Sequence, residues 1–353
     1  MQTISANGYS VFFNEKGYNE INSLLIKNNY STIFILSDEN TNEHCVPTFL
    51  ANLATKIAIE IIEIEPGESL KNISTCVEVW TILTELGADR KSLLINIGGG
   101  VITDLGGFVA STFKRGIDFI NVPTSLLGMV DASIGGKNGV DLGNLKNQIG
   151  VINVPQMVLV DSNYLETLPK NQMLSGFAEM LKHGLIFDKK YWESFLDLST
   201  IDFADFDYYI YKSIEIKNEI VKQDPTENGI RKALNFGHTL GHAIESYFLD
   251  SKTPLLHGES VAIGMILEAY ISKEKNLIST IEYQEIKNTI KSIYKEHKIS
   301  ENDISSIEKL LIHDKKNEYG KVQFALLNGI GGIKINELVT NELILSSFKD
   351  YKL

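Results

Sequence analysis

The stretch SLLINIGGGVITDLGGFVAS, residues 92–111, joins an apolar run to three consecutive glycines and then to a segment with helical apolar spacing. Read physically, it is a strand, a tight turn and a helix. Glycine lets the backbone approach a ligand closely, and a helix N-terminus offers free N–H groups and a partial positive charge to a phosphate. Gly98, Gly99 and Gly100 do not carry the G-x-G-x-x-G spacing of the common dinucleotide fingerprint. Two readings therefore stand together: a phosphate cradle, which the context favours, and a plain strand–helix turn.

Outward from this turn, STIFIL (31–36), KIAIEIIEI (56–64), GIDFINV (116–122) and QMVLV (156–160) read as further strands, as SLLINI (92–97) does, several apolar enough to be buried on both faces. Between them a helical pattern places Ile73, Val77, Trp80 and Leu83 on one face and stops at Gly87. Strand–helix alternation predicts a parallel, doubly wound sheet. Beyond about residue 165 helical periodicity takes over, in 208–222, 234–248 and 257–271, while VQFALL (322–327) reads as a late strand or a core segment. The Lys/Glu/Ile-rich section 272–318 reads as solvated helices. The expected fold class is α/β, with a Rossmann-like parallel-sheet domain over 1–168 and a mainly α-helical domain over 169–353.

Composition bounds the function. Hydrophobic residues make up 43 % and charged residues 22 % of 353, the balance of a globular protein long enough for two domains. A net charge of −12 argues against a nucleic-acid surface. Only Cys45 and Cys76 are present, so no disulfide framework is implied. No run approaches a membrane span, and MQTISANGYS carries no basic stretch followed by an apolar one, so a cytoplasmic protein without membrane partners is expected. Within this acidic chain, Arg115, Lys137, Lys146, Lys182 and Arg231 sit in or beside Gly-rich or His-containing blocks. They are either reserved for a small anionic ligand or ordinary surface cations.

Three helical blocks hold metal-type side chains: GFAEMLKHG with Glu179, NFGHTLGH with His238 and His242, and LLHGES with His257. One carboxylate and two imidazoles suit a divalent metal with an open position, such as zinc. His238 and His242, four apart, share a helix face, so spacing nominates both. The alternative is a set of structural or exposed histidines, and sequence distance does not show that the blocks meet. Asp38, Glu39 and Asn40 follow the strand STIFIL, where a carboxylate commonly binds a ribose; a turn is the equal alternative.

Together these residues resemble the 3-dehydroquinate synthase family. The matching blocks are GGGVITDLGGFVASTFKRGI, PTSLLGMVDASIGGKNGVDLGNLKNQIG, GFAEMLKHG, DPTENGIRKALNFGHTLGHAIE and HGESVAIGM, spanning about 98–265, with weaker matches at DEN (38–40), PGESLK (66–71) and HDKK (313–316). The resemblance implies an NAD-binding N-terminal domain, a helical C-terminal domain, an active site between them and usually a homodimer. It assigns NAD contacts to Asp38, Asn40, Glu68, Lys71, Gly99, Gly100, Val101, Asp104, Thr124, Ser125, Asp131, Lys146 and Thr167. It gives one divalent metal, zinc or cobalt, to Glu179, His238 and His257, and thereby places His242 near the substrate phosphate in proton transfer. Arg115, Lys137, Asn147, Lys182, Lys217, Arg231 and Asn235 match substrate-holding positions, Glu227 matches a proton acceptor, and Lys315 or Lys316 adds a further cation. Lys182, Arg231, Glu227 and His242 are the expected catalytic set. Two departures stand out: Lys182-His183-Gly184 where the family commonly has Lys-Tyr-Gly, and a slightly long stretch, IESYFLDSKTPLL, before His257.

The family's substrate, 3-deoxy-D-arabino-heptulosonate 7-phosphate, carries a carboxylate, a phosphate and several hydroxyls. The implied course is oxidation of one hydroxyl by NAD+, β-elimination of phosphate, return of the hydride, ring opening and intramolecular aldol closure, with no net oxidation. Rival readings are a related cyclase making a valiolone or an inosose, a polyol or alcohol dehydrogenase of the same architecture, and an NAD-sensing protein lacking activity. The last predicts loss of metal or phosphate residues, and all are present. Lys146-Asn147 and Arg231 favour a substrate bearing a carboxylate.

Overall fold

Strands β1 (Ile4–Ser5), β2 (Ser10–Phe13), β3 (Ile33–Asp38), β4 (Ile59–Ile64), β5 (Leu93–Gly98), β6 (Asp118–Pro123), β7 (Lys137–Leu142), β8 (Leu145–Ile152) and β9 (Met157–Val160) alternate with helices α1 (Asn14–Asn28), α2 (Glu39–His44), α3 (Val46–Ala51), α4 (Ile73–Glu85) and α5 (Gly100–Thr112). These positions come from a computed structural model that describes residues 1–143, 145–197, 206–249, 251, 253–311 and 322–352. The chain divides into two compact units, Met1–Met173 and Leu174–Leu353.

The first unit is built on a seven-stranded sheet of order β1-β2-β9-β6-β5-β3-β4. Every pairing except β1–β2 is parallel. The central strands β5 (LLINIG) and β9 (MVLV) are buried along their whole length, as an apolar run covered on both faces must be. A parallel sheet has one physical consequence for function: the C-terminal ends of β3, β4, β5, β6 and β9 all emerge on the same edge.

Helix α4 departs from the expected face. Val77 is 50 % exposed, whereas Cys76, Val79 and Leu83 are fully buried. The small side chains Thr75 and Cys76 fit against the sheet, and the bulky Trp80 is pushed to the margin, where its Nε1 donates to Val109 O at 3.3 Å. The stop at Gly87 is as expected. Gly87 has φ 74, its N–H donates to Thr84 O at 3.1 Å, and Ala88 N–H donates to Leu83 O at 2.8 Å, the paired bonds of a left-handed helix end.

An antiparallel hairpin of β7 and β8 stands outside the main sheet. Here Gly139 and Gly150 face each other so closely that a side chain on either would meet backbone, at 2.6 and 2.5 Å. Helix α5 packs on this hairpin through Gly107, where a Cβ would lie 1.9 Å from Asn138 Oδ1.

The second unit contains the rest of α6 (Lys170–Phe187), then α7 (Lys189–Glu193), α8 (Phe206–Gln223), α9 (His238–Phe248), α10 (His257–Glu274), α11 (Thr280–Ile293), α12 (Glu301–Leu311), a hairpin of β10 (Gln323–Leu327) and β11 (Ile333–Leu338), and α13 (Asn341–Tyr351). VQFALL is thus a strand. Helix α10 is buried nearly all round, the mark of a central helix. Helices α11 and α12 are amphipathic rather than solvated on all sides: Tyr283, Ile286 and Ile290, and Ile304, Ile307 and Leu311, are buried. The helix expected over 234–248 starts later, at His238, because Ile230–Asn235 forms a 3-10 turn and Gly237 takes φ 76. Among the described residues no helix is long and apolar enough to cross a membrane.

Candidate functional site

In the first unit the glycine turn works as drawn from its residues. Gly98 ends β5, Gly99 is the N-cap of α5 and Gly100 its first residue, and no side chain of α5's own first turn caps it. Those N–H groups are left to a ligand or solvent. Thr124 and Ser125 follow β6 on the same edge; a Cβ on Gly99 would lie 3.1 Å from Ser125 Oγ, so the missing side chain leaves that hydroxyl beside the turn. Val101 lies in the first turn of α5, Asp131 in the short helix after β6, and Thr167 in the 3-10 turn after β9. Asp38 ends β3, and its carboxylate accepts from Thr41 N at 2.9 Å, so it caps α2. The ribose-type placement and the turn reading therefore hold at once for Asp38, while Glu39 and Asn40 are exposed.

The remaining cofactor-type residues form one charged network. Lys71 Nζ donates to Asp104 Oδ2 at 2.6 Å and to Asn147 Oδ1 at 2.7 Å, and Lys146 Nζ donates to Glu68 Oε1 at 2.7 Å. Asp141, which the sequence reading missed, ties the two halves. Its carboxylate accepts from Asn147 N at 2.6 Å and lies 3.6 Å from Lys146 Nζ, and its own N–H donates to Lys71 O at 2.8 Å. Burial pushes the Asp141 carboxyl above its usual range against the pull of Lys71, while Lys71 keeps its proton more tightly than a free lysine because Asp104, Glu68 and Asp141 outweigh its burial. The DLGNLKN sequence gave one signal for Asp141, an acidic residue five before Lys146 across a hairpin turn.

Arg115 lies elsewhere. It follows the C-terminal end of α5, next to Lys114, both with positive φ, and lines a cleft with Asp89 and Arg90. A 13-residue helix is about 20 Å long, so Arg115 and the glycine turn of the same chain stand at opposite edges of the sheet. Lys137 is exposed at the first position of β7, opposite Ile152.

In the second unit the metal-type residues converge. Glu179, fully buried on α6, has Oε1 3.3 Å from His238 Nε2 and 3.4 Å from His257 Nε2, and its Oε2 pairs with Lys182 one turn later. His242 joins them: one nitrogen each from His238, His242 and His257 lie within 4.8 Å of one another. Neither Glu179 oxygen accepts a hydrogen bond of normal geometry among the described residues. A buried carboxylate in that state, facing imidazole nitrogens, offers donors of the type that suit a divalent cation.

The far sides of the rings are held. His238 Nδ1 lies 3.1 Å from Phe236 O and His257 Nδ1 lies 3.1 Å from Glu245 Oε2, which directs both Nε2 atoms at Glu179. Burial and then Lys182 push His238 down to about 4. His257 is pushed up to about 10, because Glu245 and Glu179 outweigh burial. Burial alone would raise Glu179, yet Lys182 and His238 hold it well below the usual carboxylate range. Glu245 was missed, although its spacing from His238 and His242 (i, i+4, i+7) puts it on their helix face.

The substrate-type residues of this unit are buried cations and their supports. Lys182, Lys217 and Arg231 are 1, 6 and 1 % exposed. Glu227 takes φ 62 and its Oε1 accepts from Asn235 Nδ2 at 3.2 Å. Asp224, also missed, organises the DPTENG turn: its carboxylate accepts from Asn228, Gly229 and Arg231 N–H groups at 3.0, 2.7 and 3.0 Å, and Arg231 Nη1 donates to Pro225 O at 2.6 Å. His183, the departure from the family pattern, is fully buried with Nδ1 2.6 Å from Ser213 Oγ. Lys315 and Lys316 lie outside the described residues.

Comparison with known proteins agrees across both units. Residues 61–175 match the family model for the 3-dehydroquinate synthase N-terminal domain and residues 176–317 that for its C-terminal domain. A 3-dehydroquinate synthase of Parabacteroides distasonis is 40 % identical over 335 residues, 94 % of this chain and 95 % of that one. One from Campylobacter jejuni subsp. doylei is 35 % identical over 99 % of this chain and 98 % of its own. Among solved structures, a 2-deoxy-scyllo-inosose synthase complexed with carbaglucose-6-phosphate, NAD+ and Co2+ superposes with a TM-score of 0.87 at 25 % identity, over 99 % of both chains. An iron-containing alcohol dehydrogenase shares the fold at a TM-score of 0.66 and 14 % identity, over 99 % of both chains.

Proposed function

The chain belongs to the 3-dehydroquinate synthase family, and from that premise we propose that it converts 3-deoxy-D-arabino-heptulosonate 7-phosphate to 3-dehydroquinate and phosphate as a metal- and NAD-dependent carbon–oxygen lyase. The observation that carries the metal part is the buried Glu179 carboxylate, short of hydrogen bonds, with two imidazole Nε2 atoms within 3.4 Å of one oxygen.

Glu179, His238 and His257 would hold the cation, and the glycine turn with Thr124, Ser125 and the Lys71–Asp104 pair would hold the dinucleotide. When bound, NAD+ supplies a hydride acceptor that later gives the hydride back, and the divalent cation supplies a Lewis acid for an alcohol oxygen. The chain's own residues do the rest. Arg231 presents a planar guanidinium suited to a bidentate anion, while Lys182 and Lys217 act as point charges. Lys182, which pairs with Glu179, and Lys217 and Arg231 are buried cations in a chain of net charge −12, a set that suits a substrate bearing anionic groups. Holding both ends of that substrate orients its reacting carbons, an effect worth several kcal/mol in well-placed systems. His242, half-buried beside His238 and His257, is placed to carry a proton at an imidazole nitrogen. Glu227, steadied by Asn235, is the second proton-handling group.

The test is incubation with the heptulosonate phosphate, NAD+ and a divalent metal. Phosphate release without accumulation of NADH is expected, since no net oxidation occurs. NADH formed in step with turnover would assign the chain instead to the alcohol-dehydrogenase branch of the fold.

A further inference from the structure

Helices α9 and α10 each begin with a histidine of the metal cluster, and each carries a buried carboxylate farther along. Glu245, on α9, reaches the start of α10, where its Oε2 lies 3.1 Å from His257 Nδ1. Glu268, on α10, reaches the start of α9, where Oε2 accepts from Gly237 N at 2.7 Å and Oε1 from Leu240 N at 3.1 Å. Glu245 is 5 % and Glu268 0 % exposed. We propose that Glu245 and Glu268 form a reciprocal brace that sets the separation of His238 from His257, and with it the affinity and coordination geometry of the metal site. Both are positioning residues, and the inference rests on the metal reading above.

Three features carry it. Helix α9 lacks a side-chain cap of its own, because its N-cap is Gly237. A hydroxyl or carboxylate at that position is the usual local solution; delivering the cap from α10 instead makes the start of α9 depend on where α10 lies. The capped turn is also the one that orients His238, since Phe236 O, its neighbour, receives His238 Nδ1 at 3.1 Å. Finally, the helices have no room to slide. A Cβ on Gly264 would lie 2.0 Å from Gly237 O, and one on Gly241 would lie 3.1 Å from Ser260 O. His257, Gly264 and Glu268 are spaced i, i+7, i+11, so ligand, close approach and cap share one face of α10.

The experiment compares the full-length protein with Glu245→Gln and Glu268→Gln. Each variant keeps the size of the side chain but offers an amide in place of one acceptor oxygen. Three quantities are read: Co2+ affinity by chelator competition, the visible absorption of the Co2+-loaded protein, and unfolding of the metal-free protein. Each substitution is expected to weaken Co2+ binding on the order of 10–100-fold, the range for partners of metal-bound histidines, and to shift the Co2+ spectrum. The double variant should lose less than the product of the two single losses, because both act on one spacing. If Glu268→Gln does not fold, Glu245→Gln decides the matter alone. A folded variant with wild-type Co2+ affinity and spectrum overturns the brace, and so does one that loses metal-free stability while its Co2+ spectrum is unchanged. Failure of the unsubstituted protein to bind Co2+ saturably would instead remove the metal site itself.

Discussion

Asp224 shows how one side chain can decide the placement of several others. Its carboxylate gathers the N–H groups of Asn228, Gly229 and Arg231 and so shapes the turn that holds Glu227 and Arg231. Those donors pull the Asp224 carboxyl below its usual range despite its burial. Replacing Asp224 with Ala should cost about 1.5–3 kcal/mol of stability, the scale of hydrogen bonds to a charged acceptor. The larger effect should be on substrate binding: KM is expected to rise while NAD affinity, which we assign to residues of the other unit, stays put. Steady-state kinetics with calorimetric NAD titration check this, and an unchanged KM would disprove it.

At the scale of elements, α13 is tied to α11 by a charged clasp. Lys287 Nζ donates to both the side chain and the carbonyl of Asp350 at 2.8 Å, and Tyr283 donates its hydroxyl to the same carboxylate. Partial burial works against the Asp350 charge, but Lys287 and Tyr283 win and hold its carboxyl below the usual carboxylate range. A depressed folded-state pKa means the clasp stabilises above the unfolded pKa and is lost as pH falls through the folded one. Asp350→Asn should therefore be less stable than the parent at pH 7, with the gap closing below about pH 4. Denaturant unfolding of both proteins, metal-free, at several pH values tests the sign; a gap that widens in acid would contradict it.

For the molecule as a whole, the proposed cofactor and metal residues fall in different units. Lys71, Asp104 and the glycine turn belong to Met1–Met173, whereas Glu179, His238 and His257 belong to Leu174–Leu353. A ligand that binds only the folded protein stabilises it by about 2.7 kcal/mol at a hundredfold excess over Kd. Removing the divalent metal with a chelator should accordingly lower the unfolding temperature by several degrees, and saturating NAD+ should raise it in the chelated protein as well. Differential scanning calorimetry reads both. An unfolding temperature indifferent to chelation would speak against a metal at Glu179.

Much of this was legible without coordinates. Buried strands, the glycine turn, the stop at Gly87 and the chemical types of the metal-type side chains are written in stretches of a few residues, where backbone preference and side-chain period act directly. Long matching blocks in order identified the family, because many local constraints together are far more specific than any one. The tertiary structure alone decided the rest: that Val77 faces outward and Cys76 inward, that α9 starts at His238, that Arg115 stands across the sheet from the glycine turn of its own chain, and that Asp141, Asp224, Glu245 and Glu268 support the residues the chemistry needs. Each of these depends on contacts between segments distant in sequence, where packing and buried hydrogen bonds choose among local options that are nearly equal in energy.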